Sequence, residues 1–61
     1  MTIGQRIAQK RKELGLSQEA LGSKLGVSRQ SVSKWEGGLS FPELDTILRI
    51  CDLYHVDLDT L

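Results

Sequence analysis

The chain has 61 residues with eight basic and eight acidic side chains, one cysteine and one histidine. A chain this short buries only about 60% of its unfolded surface, which excludes a large ligand cavity, and a single cysteine excludes an intrachain disulfide. No apolar run approaches the roughly 18 residues of a membrane span and no basic-then-apolar leader opens the chain, so a cytoplasmic location is expected.

The zero formal charge conceals an imbalance. Up to Gly38 seven basic residues (Arg6, Lys10, Arg11, Lys12, Lys24, Arg29, Lys34) outnumber three acidic ones (Glu13, Glu19, Glu36), a net of +4. Beyond it Arg49 stands against Glu43, Asp45, Asp52, Asp57 and Asp59, a net of −4. Such separation gives one face the positive field that a phosphate-bearing partner requires, or marks ordinary solvated helix faces.

Taken in order, Thr2 and Gln5 form a capping box at the start of a first helix. Ile3, Ile7, Arg11 and Leu14 mark its inner face, and Gly15 ends it. Ser17 caps a second helix, with Leu16 stapled against Leu21, and Ala20, Leu21 and Leu25 as its buried set. Gly26 stops that helix. Val27 and Ser28 then repeat the staple and cap for a third, which runs to Gly37 and Gly38. Pro42 is placed in the first turn of a fourth helix whose apolar face reads Leu44, Ile47, Leu48, Cys51. Asp57 caps a fifth, cut off at Leu61. No alternation suggests a strand, and the expected fold is all-α.

Function concentrates in two short helices joined at Gly26. Gly22 gives the small side chain that a steep crossing needs, and Gly26 a residue free to take positive φ, as in a helix-turn-helix or a plain αα-hairpin. With Val32 and Trp35 turned inward, Arg29, Gln30, Ser33 and Lys34 are left outside, and these side chains suit base edges. Arginine bonds bidentately to guanine, glutamine to adenine, lysine reaches guanine acceptors and serine is less selective. Ser28 and Ser31, with the free amides of that helix start, suit a phosphate, and Gln18 suits the flanking backbone.

Other chemistry is poorly supported. His55 with one distant cysteine cannot supply three or four metal ligands, so no metal or cofactor is expected. Cys51 lies on an apolar face, the aspartates lack calcium-loop spacing, and no phosphate loop or nucleophile with a matched base appears. Enzymatic activity is not expected. Trp35 is assigned to the core rather than to base stacking.

The run QEALGSKLGVSRQSVSKWEG (18–37), with RIAQKRKELGLSQ before it and PELDTILRICDLYHVDLDTL after it, resembles the phage-repressor and Cro-like helix-turn-helix family, also called the XRE family. The resemblance covers nearly the whole chain. It implies one domain over 1–61, a compact five-helix, lambda-repressor-like bundle whose third helix enters the major groove of double-stranded DNA. It further implies a transcriptional regulator, most simply a repressor, acting as a homodimer on a pseudopalindromic operator. Two departures stand out. Gly22 replaces the usual alanine, and the loop Leu39, Ser40, Phe41, Pro42 carries no basic residue, so Ser40 and backbone amides must meet phosphate there. A protein-interaction module, or an antitoxin or adaptor with weak DNA binding, remains the alternative. Arg11 on the first helix's apolar face and Glu36 beside Trp35 are expected to pair, since a lone charge there is costly.

Overall fold

The computed structural model describes residues 2–59 and 61. It has four helices, α1 (Ile3–Glu13), α2 (Gln18–Leu25), α3 (Arg29–Glu36) and α4 (Leu44–Tyr54), and no strand among the described residues. Three helices start on a hydroxyl. Thr2, Ser17 and Ser28 accept from the amides of Gln5, Ala20 and Ser31 at 3.1, 3.0 and 3.2 Å, satisfying groups that have no partner inside the helix. The Thr2 amide in turn donates to Gln5 Oε1 at 3.0 Å, completing the box.

The start of α4 differs from the sequence expectation. Glu43 holds the extended backbone of a cap (φ −70°, ψ 162°) and makes no side-chain bond, so helical dihedrals begin at Leu44. Pro42 therefore precedes the cap instead of occupying the first turn.

All four helices end in one arrangement, in which the next two amides fold back onto the last turn. At α2 the amide of Gly26 donates to Ser23 O at 3.3 Å and that of Val27 to Gly22 O at 2.8 Å. The residue that turns the chain must have positive φ. Glycine does this after α1, α2 and α3, but after α4 the residue is His55, at φ 56°.

Ile7, Leu21, Val32 and Ile50 are wholly enclosed, and Leu25, Trp35, Cys51, Tyr54 and Leu61 complete the core. Burial of such side chains is the main stabilising term. Two close backbone approaches set how the helices pack. A Cβ on Gly4 would collide with the Trp35 carbonyl oxygen, so α1 lies against α3 with no side chain between them. A Cβ on Gly22 would stand 2.8 Å from Val27 O, so the small residue that weakens α2 also permits the tight turn.

Three further expectations are corrected. The described residues form four helices, not five. After Asp57 the chain makes a turn at Leu58 and Asp59, and Leu61 N donates to Asp57 O at 3.3 Å; a single turn of chain does not offset the cost of fixing a helical nucleus. Thr60, within the expected fifth helix, lies outside the described residues. The inner stripe of α4 is Ile50, Cys51 and Tyr54, with Ile47 half-buried beside them, whereas Leu44 and Leu48 are 66% and 51% exposed. Leu14 is exposed as well, because α1 ends at Glu13 and Leu14 belongs to its cap.

Candidate nucleic-acid interface

α2 and α3 pack closely around the turn at Gly26, which adopts left-handed backbone (φ 74°, ψ 28°). Along α3, Val32 and Trp35 face the core while Arg29, Gln30, Ser33 and Lys34 are all exposed. At 3.6 residues per turn those four fill an arc of about 140°. None of their side chains has a hydrogen-bonding or ionic partner among the described residues. The face therefore presents donors and acceptors that are bonded only to solvent.

The residues assigned to phosphate stand in different surroundings. Ser28 and Ser31 lie together at the start of α3, with their hydroxyls 3.2 Å apart and Ser28 Oγ also accepting from the Ser31 amide. Ser31 lines a cleft of about 350 Å³ with Val27, Trp35, Phe41, Pro42, Glu43 and Thr46, where Glu43 adds negative charge. Ser40 is half-buried in the α3–α4 linker. Gln18 is also half-buried, and its Nε2 donates to Glu36 Oε1 at 3.1 Å.

That bond belongs to a network the sequence only partly revealed. Arg11 donates from Nε to Glu36 Oε2 at 2.7 Å and from Nη2 to Glu36 Oε1 at 3.0 Å, a two-pronged pair, and from Nη1 to Leu16 O at 2.9 Å. The side chains of Arg11 and Glu36 are only 12% and 9% exposed. Burial pushes the Glu36 carboxyl up. The hydrogen bonds from Arg11 and Gln18, with the charges of Arg11 and Lys12, outweigh it and hold the group below the usual carboxylate range. The bond to Glu36 likewise outweighs burial and raises Arg11. Spacing pointed to Arg11 and Glu36, since each is a charge on an apolar face. Nothing in the sequence linked Gln18 to Glu36, eighteen residues away.

The remaining reactive groups are quiet. Burial first, and then the Asp57 charge, push the Cys51 thiol up, which keeps it protonated and unreactive. The buried Tyr54 hydroxyl donates to Ile7 O at 3.1 Å, and burial pushes it up to about 12, with the Glu36 charge adding to the shift and Arg11 opposing it. No group of three potential metal ligands occurs among the described residues, and none of their helices is long and apolar enough to cross a membrane.

Two short helices crossing at a glycine turn, with an unpartnered polar face on the second, define a helix-turn-helix domain. The helix-turn-helix family model matches residues 7–61, and the chain belongs to this family, in its XRE or Cro/C1-type branch. Among its relatives is the HTH-type transcriptional regulator ImmR of Bacillus subtilis, 31% identical over all 61 residues of this chain and 48% of ImmR. The chain thus spans about half the length of that relative. Among solved structures, the P22 c2 repressor in complex with a synthetic operator superposes with a TM-score of 0.90 at 32% identity, covering 97% of this chain and 89% of the repressor. SinR of Bacillus subtilis, the master regulator for biofilm formation, in complex with DNA, gives 0.86 at 35% identity over 97% of this chain and 95% of that one.

Proposed function

We propose that residues 1–61 form one domain that binds double-stranded DNA sequence-specifically as a transcriptional regulator, with α3 in the major groove. The observation that carries this reading is the arc of Arg29, Gln30, Ser33 and Lys34 left without partners on α3. A solvated helix surface usually carries carboxylate and ammonium pairs, whereas this arc has two cations and no acid. Arg29, Gln30 and Lys34 read base edges, with Ser33 beside them. Ser28 and Ser31, and Ser40 in the linker, meet the phosphate backbone. Kinship with a repressor solved on its operator favours repression and a homodimer on a pseudopalindromic site, in the cytoplasm and without catalysis.

The test is selection from a randomised duplex pool at two salt concentrations. An inverted repeat with half-sites about one helical turn apart is expected, with affinity falling steeply as salt rises. Arg29→Ala costs about 1–3 kcal/mol on that site and relaxes one base position. Equal loss on every sequence would make Arg29 a phosphate contact.

One observation favours a second reading, a protein-interaction module. The linker carries no base, and Leu39 and Phe41 are 81% and 74% exposed. Under this reading the folded chain enriches no DNA sequence at either salt concentration.

A further inference from the structure

We propose that Glu43 limits how tightly this chain holds any duplex, its carboxylate opposing the phosphate that Ser28 and Ser31 meet at the start of α3. The inference rests on the DNA-reading function above and names what sets the affinity of that site. Ser28 and Ser31 present two hydroxyls 3.2 Å apart. Ser31 and Glu43 line one cleft, and no lysine or arginine lines it among the described residues. A cleft of about 350 Å³ is on the order of 9 Å across, less than the Debye length of about 10 Å at 0.1 M salt. A phosphate seated on Ser31 is therefore close enough to Glu43 to be repelled.

The Glu43 charge is not used elsewhere. Glu43 is exposed, caps α4 through its backbone alone, and its side chain has no hydrogen-bonding or ionic partner among the described residues. The two nearest acids in the chain differ. Glu36 is paired with Arg11, and Asp45 Oδ1 accepts from the Thr46 amide at 2.9 Å. Between Lys34 and Arg49 the sequence has no base to offset Glu43.

Phosphate is the same in every sequence, so this repulsion acts on affinity and not on the choice of base. Non-specific binding is almost wholly a backbone effect. Glu43 thus loosens the hold on wrong duplexes as well as the right one.

The experiment measures binding of wild type and Glu43→Gln to the selected duplex and to a scrambled one at two salt concentrations, with a thermal melt of each chain. Glutamine keeps the length and removes the charge, and with no side-chain bond at stake the fold is expected to be kept. Repulsion between unit charges about 9 Å apart, at an effective dielectric between about 80 and 20, is worth about 2- to 20-fold in affinity. Glu43→Gln is expected to gain a factor in that range on both duplexes at low salt, and less at high salt, with the selected motif unchanged. Glu43→Ala, neutral but short, is expected to gain alike. Asp52→Asn, which removes one acid at the far end of α4, is expected to gain less.

Unchanged affinity of Glu43→Gln, where both chains enrich the same motif, overturns the proposal alone. So does an equal gain in Asp52→Asn, which would assign the effect to net charge. A gain confined to the selected duplex, or to one of the two neutral variants, overturns it as well. If folded wild type and folded Glu43→Gln both enrich no sequence, the DNA-reading function falls and the proposal with it.

Discussion

Where α3 meets α1 and α2, backbone lies against backbone at Gly4 and Gly22, and the Glu36 carboxylate receives hydrogen bonds from Arg11 and Gln18. Where α4 meets the rest, side-chain packing dominates, with Tyr54 on Ile7 O and a long 3.4 Å bond from Arg49 to Leu25 O among its polar ties. The first region is directional and the second is chiefly an apolar area. Directional contacts fix orientation to within fractions of an ångström, which base recognition needs. Apolar contact supplies stability while tolerating a change of rotation, and α4 buries Ile50 and Tyr54 while leaving Leu44 and Leu48 outside.

The sharpest way to break the contrast is Glu36→Ala. It leaves the Arg11 charge buried without its partner and should cost about 3–5 kcal/mol, read by urea or thermal melts. That is a large part of the roughly 3–9 kcal/mol available to a domain this size. Acid probes the same group. Because Glu36 titrates below its usual value in the folded chain, its contribution is present above about pH 4.5, the ordinary carboxylate value, and is lost as pH falls through the lowered one. A stability-versus-pH curve should therefore drop below pH 4.5 in wild type, and drop less in the alanine variant.

A smaller loss is expected on the backbone side of the same region. Gly4→Ala should improve helix propensity, yet it should destabilise by about 1–3 kcal/mol, because the new methyl meets a carbonyl that cannot rotate away. A melting temperature above wild type would show that α1 slides freely on α3. The smallest effect, of opposite sign, belongs to α4. His55→Gly relieves a left-handed backbone costing roughly 1–2 kcal/mol and adds chain entropy worth roughly 0.5–1 kcal/mol. A net gain of about 0.5–1 kcal/mol in chemical denaturation is expected.

The sequence was most informative where one residue type has one physical use. Ser17, Ser28, Gly15 and Gly26 mark helix ends because few alternatives satisfy loose amides or accept positive φ, and the helices begin and end beside them. For α4 the apolar spacing points one stripe off. Leu44, Ile47, Leu48, Cys51 and Ile47, Ile50, Cys51, Tyr54 have the same spacing, and only the shape of the rest of the core selects between them. Gly4 gave no sign of its role, since a glycine inside a helix reads as a weakness until the neighbouring backbone is seen. On α3 the exposed set follows from where Val32 and Trp35 point. The bond from Gln18 depends on a fold that brings distant ends together, which helical periodicity does not encode.

Trp35, the one tryptophan, sits in α3 and is 6% exposed. Its indole is enclosed on the side opposite the arc of Arg29, Gln30, Ser33 and Lys34, with its backbone carbonyl against Gly4. Intrinsic fluorescence of this chain is consequently a site-specific report from the helix assigned to recognition. Its emission follows the packing of α3 into the core, and quencher access rises when that packing opens, so no added label is needed to time the motion.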